Sequence, residues 1–410
     1  MISKVLLREP RGCYDRAFMR SALALILSAA LLADETARAA DSEVRGLWVV
    51  RTALVSPQDV DRVVDQASEG GFNALFVQVR GRGDAFYDSK LVARSVLLER
   101  QAAGFDPLAR LIDRARARGL QVHGWVNVLL AAHLGQPLQR GHILLEHPEW
   151  LMVPRQVAVT VAPRSLPALV GRAARMDPDV EGYYLSPSAP GVREHLEAIV
   201  RELVRGYPLD GLHLDFIRYP NPDYDYSRHA LEGFRRIRGS NELLGGPAAD
   251  PAAWDQYRRD VLTTLADSLA RAGRYERPGI IVSAAVVPDD GTATSTKYQA
   301  WPAWATRGIL DALCPMVYTA DSRIFRQQVE RARAAAGQVP VWAGVGAYRL
   351  PLAGVVEKIR LAREAGASGV VVFSHESLQP ADWRRLREAA FPVVAAAGRA
   401  PGLGTASATR

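Results

Sequence analysis

Short apolar segments alternate with amphipathic segments along most of this 410-residue chain. Parallel strands that are covered by helices produce this alternation, because such strands are buried on both faces. Eight segments have the composition of strands, and they run over Val44–Arg51, Asn73–Arg80, Gln121–Leu129, Gly211–Tyr219, Gly279–Val287, Ala312–Thr319, Val341–Tyr348 and Gly369–His375. Eight strand–helix units in succession predict an α/β fold, a (β/α)8 TIM barrel.

The segments between these strands carry helix start and stop signals. Ser56-Pro57 and Asp106-Pro107 are typical helix starts, and Gly70-Gly71 and Gly119 are expected to close those two helices. Further helices are expected over Pro351–Gly366, Trp254–Arg274 and Ala381–Phe391. A doubly wound open sheet is the alternative fold, but no G-x-G-x-x-G loop follows the first strand.

Two long insertions follow the third and fourth strands, from Ala131 to Pro190 and from Asn221 to Ala253. The active sites of TIM barrels are built from the loops that follow strands, so long loops after strands 3 and 4 predict a cleft at that end of the barrel.

The first forty residues have the pattern of an export signal. Basic residues precede an apolar run from Ser21 to Ala33, and Ala37-Arg38-Ala39 resembles a cleavage site. We therefore expect residues 1–40 to be a secretory signal peptide, residues 41–397 to form the TIM-barrel domain and residues 398–410 to be a disordered tail. A retained amphipathic N-terminal anchor is the alternative.

Export predicts a periplasmic or extracellular protein. The formal net charge of the chain is +7, and a basic exported protein is attracted to anionic polymers of the cell envelope. The sequence lacks the dense Lys/Arg runs and aromatic motifs of nucleic-acid-binding proteins. No other stretch approaches about 18 uninterrupted apolar residues, so we expect no stable membrane insertion after signal cleavage.

The stretch from Leu209 to Pro220 predicts a buried strand that ends in a carboxylate. Its apolar residues suit a strand that starts at Gly211 and is stopped by Pro220. Asp215, Arg218 and Tyr219 should then lie at or just beyond the C-terminal end of the strand, where barrel enzymes place catalytic acids. The alternative is a structural aspartate that caps a loop or pairs with Arg218.

Other strand ends carry carboxylates, amides and aromatic residues. Aromatic faces stack on sugar rings, and planar amide and guanidinium groups bind hydroxyls, so this composition predicts a carbohydrate cleft. The candidates beside Asp215, Arg218 and Tyr219 are Arg51, Gln78, Arg80, Asp84, Trp125, Asn127, Asp289, Asp290, Tyr318, Asp321, Tyr348, His375 and Glu376, with Trp150 in the first insertion.

Metal and cofactor chemistry has little support in the sequence. The histidines form no H-x-x-x-H pair or H-E-x-x-H helix, no cysteine cluster accompanies them, and no G-x-S-x-G motif occurs. We therefore predict no metal site and no cofactor. His123 and His213 are expected to be hydrogen-bonded core residues, and Cys314 a buried, inert thiol.

Several motifs together resemble the glycosyl-hydrolase-like 10 family, and the resemblance extends over essentially the whole chain beyond the predicted signal. They are Val44-Arg-Gly-Leu-Trp-Val, Phe72-Asn-Ala-Leu-Phe-Val-Gln-Val-Arg80, Gly83-Asp-Ala-Phe-Tyr87, Asp106-Pro-Leu, Gly119-Leu-Gln-Val-His-Gly-Trp-Val-Asn127, His147-Pro-Glu-Trp150, Leu209-Asp-Gly-Leu-His-Leu-Asp215, Arg218-Tyr-Pro220, Pro315-Met-Val-Tyr318 and Gly369-Val-Val-Val-Phe-Ser374. The family consists of exported TIM-barrel proteins regarded as glycoside hydrolases, and some members act on peptidoglycan glycan stripped of its stem peptides. The resemblance therefore implies peptidoglycan or a related amino-sugar polysaccharide as substrate.

The fourth strand departs from two patterns. Many family members carry a second aspartate directly after the strand-four aspartate, where this chain has Phe216. Because neighbouring strand residues point to opposite faces, residue 216 is expected to face away from Asp215. The strand also resembles that of chitinases at Asp210, Gly211 and Asp215, but Ile217 replaces their catalytic glutamate, so their substrate-assisted mechanism cannot operate in the same way.

These residues support a glycoside hydrolase in which Asp215 is the nucleophile or base. Asp84 is the preferred partner acid, because its Gly-Asp-Ala-x-Tyr context belongs to the family pattern, and Glu376 is the second choice; Asp84 could equally cap a loop. Arg80 and Arg218 would hold Asp215 ionised or bind an anionic substituent, with a structural ion pair as the alternative.

The remaining candidates are assigned to substrate. Sugar hydroxyl or acetamido groups would bind to Gln78, Asn127, Tyr318 and Tyr348, the rings of Trp125 and Trp150 would stack on sugars, and Arg51, Tyr219 and His375 complete the predicted binding set. The alternative function is a non-catalytic glycan-binding barrel of the cell envelope. An enzyme acting on lipid or phosphate ligands is disfavoured because no phosphate-cradling loop occurs.

Overall fold

A computed structural model describes residues 43–157, 166–238 and 246–392 of the chain. The predicted signal peptide over residues 1–40 and the predicted tail over residues 398–410 lie outside these residues, so both stay predictions. Residues Val44–Pro392 form one compact unit.

Eight parallel strands close into a barrel, which confirms the predicted fold. In chain order the strands of the described residues are β1 Val44–Val49, β2 Ala74–Arg80, β3 Gln121–Asn127, β4 Leu130–His133, β5 Gly182–Tyr184, β6 Gly211–Asp215, β7 Ile281–Val286, β8 Ala312–Val317, β9 Trp342–Gly346 and β10 Gly369–Phe373. The barrel order is β1-β10-β9-β8-β7-β6-β3-β2, and β1 closes it by pairing with both β2 and β10. The pairing of β3 with β6 sets Asn127 directly beside Asp215.

Helices connect the strands and cover the barrel. They are α1 Pro57–Glu69, α2 Pro107–Arg116, α3 Ile143–Glu146, α4 Leu166–Arg175, α5 Val192–Gly206, α6 Arg228–Ile237, α7 Pro251–Glu276, α8 Asp290–Thr296, α9 Trp301–Thr306, α10 Ser322–Ala336, α11 Leu352–Glu364 and α12 Asp382–Ala390. The predicted helix starts are confirmed, since Ser56 accepts from the Asp59 amide at 3.2 Å and Asp106 accepts from the Ala109 amide at 3.0 Å. Within the described residues, the helices lack the combination of length and hydropathy that a membrane-spanning helix needs.

Aromatic side chains fill the interior of the barrel beneath the strand ends. Trp48, Phe76, Trp125 and Trp342 pack there with Cys314, whose thiol is buried as expected. His213 is hydrogen-bonded as predicted, to the Trp48 indole at 3.2 Å and to the Ser283 hydroxyl at 2.9 Å.

His123 corrects the expectation that both strand histidines are hydrogen-bonded. Its ring stacks on Phe76 with centroids 4.6 Å apart, and neither ring nitrogen has a hydrogen-bond partner within the described part of the chain. Burial lowers the pKa of His123 to about 4, so the ring is neutral. The ring fits because Gly211 has no side chain: a β-carbon there would lie 2.0 Å from Nδ1 of His123.

The first insertion contains a two-stranded antiparallel sheet, whose strands are far apart in sequence. Its strands β4 and β5 pair with each other, with Leu130 opposite Tyr184. Two backbone hydrogen bonds attach this small sheet to the barrel mouth, from the Leu129 amide to the Phe216 carbonyl at 3.2 Å and from the Leu185 amide to the Leu129 carbonyl at 2.8 Å. The end of β5 is therefore held close to the end of β6.

Candidate active site

Asp215 is the last residue of β6, and its carboxyl group is almost completely enclosed. The residue is 6% exposed. The Trp125 indole donates to Oδ2 at 3.1 Å and the Phe216 amide donates to Oδ1 at 2.6 Å. Burial raises the pKa of Asp215 above its ordinary value, although Arg218 and these two donors oppose the rise. The environment thus shifts the titration of an already oriented carboxyl group to higher pH.

Phe216 turns the chain sharply where β6 ends. Its φ of 50° lies in the left-handed region, which bulky residues rarely adopt and which Asp and Asn adopt more readily. We expected residue 216 to face away from Asp215 because we assumed that the strand continues through it. That assumption is wrong, since β6 ends at Asp215. The Phe216 ring packs beneath Arg218, whose guanidinium carbon lies 4.4 Å from the ring centroid. Residue 216 is therefore a neighbour of the Asp215 site.

Arg218 links Asp215 to a second carboxylate, Glu181. Nη2 of Arg218 donates to Oε1 of Glu181 at 3.0 Å, and Nη1 lies 3.8 Å from Oδ1 of Asp215. The Tyr184 hydroxyl donates to Oε2 of Glu181 at 2.5 Å. Partial burial tends to raise the pKa of Glu181, but Arg218 and Tyr184 outweigh it and hold the pKa below its usual value. Glu181 is therefore held ionised.

Sequence reasoning did not identify Glu181. The residue lies 34 positions before Asp215, in an insertion whose two-stranded sheet was not predicted. The one local signal is the Gly182-Tyr-Tyr184 strand that follows it, a short aromatic segment between polar stretches.

An aromatic wall lines the site on the side of β8 to β10. Tyr318 stacks on Phe373 with centroids 5.5 Å apart and meets Tyr348 edge-on at 5.9 Å. Burial, and then the charge of Asp215, raise the pKa of the Tyr318 hydroxyl. Tyr348 is 50% exposed, so one predicted sugar-binding aromatic residue presents a free surface. Phe373 belongs to this wall and was not predicted.

A chain of polar groups extends from Asn127 toward β1. The Gln78 amide donates to Oδ1 of Asn127 at 3.4 Å, and Nη1 of Arg51 donates to Oε1 of Gln78 at 3.0 Å. Because Asn127 is in register with Asp215, the predicted residues Arg51, Gln78 and Asn127 are brought to the same mouth as the acid. Arg51 is the partly exposed member of this chain.

Asp84 and Glu376, the predicted partner acids, lie with Arg51 rather than with Arg218. Oδ1 of Asp84 accepts from the Arg82 amide at 3.0 Å, which is the loop-capping alternative considered above. Glu376 is exposed and accepts from the Thr52 hydroxyl at 2.5 Å. Both carboxylates act electrostatically on Arg51. The structure thus gives Asp215 a different carboxylate neighbour, Glu181.

Arg80 and Trp150 are placed where a structural role explains them. Arg80 is 1% exposed and donates to the carbonyls of Asn127 and Val128, so it joins β2 to the segment after β3 instead of contacting Asp215. Trp150 stacks on His147 with centroids 4.2 Å apart, which covers one face of the ring that was expected to bind a sugar.

Tyr219 and His375 also point away from the mouth. Tyr219 is fully buried and meets Tyr298 edge-on at 5.4 Å. His375 pairs through Nε2 with Gln66 at 2.8 Å, and burial lowers its pKa to about 4. Both residues belong to the packing between the barrel and its helices, not to a substrate surface.

Two further strand-end acids are helix caps. Asp289 accepts from the Thr292 amide at 2.8 Å at the start of α8, and Asp321 accepts from the Ile324 amide at 2.9 Å at the start of α10. Asp290 is the first residue of α8. Acidic residues are favourable at helix N-termini, which explains their positions after strands without a catalytic role.

Known proteins provide an independent test of this architecture. The profile of the glycosyl hydrolase-like 10 family matches residues 43–358. Glycosyl hydrolase DigH from Escherichia coli (strain K12) is 27% identical over 291 residues, which cover 66% of this chain and 60% of that protein. Glycosyl hydrolase YngK from Bacillus subtilis (strain 168) is 23% identical over 322 residues, covering 68% of this chain and 54% of the relative. The chain thus spans little more than half the length of these curated relatives.

Solved structures share the fold. An alpha-L-fucosidase isoenzyme 2 from Paenibacillus thiaminolyticus superposes with a TM-score of 0.58 at 15% identity, covering 85% of this chain and 48% of that one. The catalytic domain of a beta-amylase from Paenibacillus polymyxa gives a TM-score of 0.54 at 13% identity, covering 84% and 95%. The family match extends over most of the described barrel, and the chain belongs to the glycosyl hydrolase-like 10 family.

Proposed function

We propose that this protein is a glycoside hydrolase that cleaves the glycan strands of peptidoglycan, or a related amino-sugar polysaccharide, with Asp215 as catalytic acid. The observation that carries the proposal is the enclosed and hydrogen-bonded carboxyl group of Asp215 at the end of β6. Family membership and the glycosidase folds of the structural neighbours support hydrolysis of a glycosidic bond.

The environment of Asp215 favours the acid role over the nucleophile or base that the sequence suggested. A general acid must hold a proton at working pH, and burial of Asp215 raises its pKa in that direction. The Trp125 indole and the Phe216 amide restrict the carboxyl group to one orientation. A sugar ring could stack on the exposed face of Tyr348, while Arg51 offers a cationic donor to ring substituents.

The choice of substrate rests on the family resemblance and on the predicted export signal. Some family members act on peptidoglycan glycan that has lost its stem peptides, and a periplasmic or extracellular location would give this protein access to such strands. We propose both the location and the substrate on this basis.

The test is Asp215→Asn on the purified chain, incubated with denuded peptidoglycan strands. We expect loss of at least about 100-fold in the release of reducing ends and soluble fragments, the range that removal of a general acid usually causes. Asp321→Asn is the matched control, because asparagine caps a helix about as well as aspartate. Unchanged product release by a folded Asp215→Asn protein would disprove the assignment.

A non-catalytic glycan-binding barrel is the second candidate. Phe216, in place of the aspartate that many family members carry, is the observation that favours it. Sedimentation of the protein with wall glycan, without any release of reducing ends by the unmodified chain, would support binding alone.

A further inference from the structure

We infer that Glu181, which shares the guanidinium group of Arg218 with Asp215, is the second carboxylate of the reaction. The inference rests on the function proposed above. It assigns to the first insertion, at the residue just before β5, a catalytic group that the barrel strands do not supply.

The geometry limits how far apart the two carboxyl groups can be. Oε1 of Glu181 lies 3.0 Å from Nη2 of Arg218, and Oδ1 of Asp215 lies 3.8 Å from Nη1. The two nitrogens belong to one planar group, so these oxygens are at most about 9 Å apart. Glycosidases place their two carboxyl groups roughly 5 to 9.5 Å apart, and the pair satisfies the upper limit.

The two carboxyl groups have opposite environments. Asp215 is enclosed, whereas the Glu181 side chain is 42% exposed and can reach a water molecule or a sugar in the cleft. Glu181 is also held by the Tyr184 hydroxyl and influenced by the ammonium group of Lys297. A pair in which the pKa of one carboxyl group is raised and that of the other is lowered has the division of labour that acid and base require.

Other carboxylates near the mouth are less suitable. Asp84 and Glu376 lie with Arg51, as described above. Asp225 is fully buried, and its oxygens accept from the Val153 amide at 2.9 Å and from the Ser227 amide and hydroxyl at 2.8 and 3.0 Å. This carboxylate fixes the loop before α6 and has no access to a substrate.

The reaction that follows is a hydrolysis with one water consumed. Asp215 transfers its proton to the glycosidic oxygen as the bond from that oxygen to the anomeric carbon breaks. Glu181 removes a proton from the water whose oxygen forms the new bond to the anomeric carbon. The proton on Glu181 then passes to solvent and Asp215 regains one from solvent, so both groups return to their starting states.

The test uses Glu181→Gln and Glu181→Ala beside Asp215→Asn, with Glu388→Gln, an exposed residue of α12, as the matched control. We expect Glu181→Gln to lower kcat on denuded glycan strands by at least about 100-fold while thermal unfolding stays cooperative. We also expect sodium azide or formate to restore part of the activity of Glu181→Ala, because a small anion can occupy the vacated space and act on the anomeric carbon or its water.

If Glu181 has only a structural role, we expect different results. If Glu181→Gln keeps kcat within about tenfold, or if azide and formate fail to restore a folded Glu181→Ala protein, the inference is wrong. Failure of the proposed function looks different: the unmodified chain then releases no reducing ends, or Asp215→Asn is as active as the unmodified chain. Loss of activity in Asp215→Asn with full activity in Glu181→Gln would disprove the inference alone.

Discussion

Two arginines at the barrel mouth each lie among two carboxylates, yet their surroundings differ. Arg218 is 7% exposed and contacts Asp215 and Glu181 directly. Arg51 is more accessible and interacts with Asp84 and Glu376 over longer range, while its own guanidinium donates to Gln78. Arg218 thus pairs directly with a buried acid, Asp215, and with the partly exposed Glu181, whereas Arg51 interacts with the half-buried Asp84 and the exposed Glu376. Direct contact with a buried acid, more than residue type, distinguishes the candidate catalytic pair from the charge group around Arg51, because charges interact strongly only at short range and where water is excluded.

The largest expected difference between the two clusters concerns catalysis. Asp84→Asn and Glu376→Gln should each change kcat on denuded glycan by less than about tenfold, whereas Asp215→Asn should lower it by about 100-fold or more. Initial rates of reducing-end release at saturating glycan measure all three variants. A loss of about 100-fold in Asp84→Asn with an active Asp215→Asn would reverse the roles of the two clusters.

The next difference concerns folding stability. Arg218→Met leaves two carboxylates without their shared cation, and removal of one partner from a buried ion pair typically costs about 3 to 5 kcal/mol. Since Glu181 is partly solvated, we expect a loss near about 3 kcal/mol for Arg218→Met and about 1 kcal/mol or less for Arg51→Met. Urea unfolding at neutral pH compares them, and equal losses would contradict the contrast in burial.

Within the Arg218 cluster the two carboxylates should affect stability in opposite directions as pH changes. Burial raises the pKa of Asp215 above 3.8 in the folded chain. Ionisation of Asp215 therefore lowers the free energy of unfolding at neutral pH, and this loss of stability disappears when the pH falls below 3.8. Although partial burial acts to raise it, Arg218 and Tyr184 hold the pKa of Glu181 below 4.5. Ionised Glu181 therefore adds to the free energy of unfolding above pH 4.5, and this stabilisation is lost as the pH falls through the lowered pKa.

Asp215→Asn should therefore raise the unfolding free energy at neutral pH and Glu181→Gln should lower it. Both differences should shrink toward acid pH. Urea midpoints for the two variants and the unmodified chain between about pH 3 and 8 would show this, and differences of the same sign at neutral pH would disprove the assigned environments.

The smallest expected effect is that of restoring the family's residue after Asp215. Phe216→Asp replaces a bulky residue with one that tolerates the left-handed backbone better. We expect kcat to change by less than about threefold, because Asp215 and Glu181 already form the proposed catalytic pair. Steady-state kinetics on the same glycan provides the measurement. A gain of about 100-fold would show instead that this chain lacks a required acid.

The barrel and the position of Asp215 could be predicted because both depend on local patterns. Strand composition, helix caps and the stop at Pro220 act within a few residues, so β6 and its terminal acid were expected where they occur. The predicted strand nevertheless extended to Tyr219, since composition does not reveal the turn at Phe216. That turn directs Arg218 toward the acid and Tyr219 into the core.

Side-chain direction explains why several predicted site residues lie away from the Asp215 site. Arg80, Tyr219 and His375 follow or end strands, as residues of a barrel active site do, but each is buried against backbone or helices. Position along a strand indicates the end of the barrel at which a residue lies. It does not indicate whether the side chain enters the cleft, because that depends on packing against segments distant in sequence.

The sequence by itself determined the eight-stranded barrel, the family and the acid at the end of the fourth barrel strand. Hydrophobic periodicity and helix capping depend on residues that are close in sequence. Burial of the apolar positions then stabilises the strands and helices that these patterns predict. Only the tertiary structure decided which carboxylate accompanies that acid. Glu181 and Asp215 meet through Arg218 because the β4–β5 sheet of the first insertion is hydrogen-bonded to the segment after β3, and that segment is hydrogen-bonded to the backbone at the end of β6. Electrostatic coupling depends on distance and solvent exclusion in space, which sequence separation does not encode.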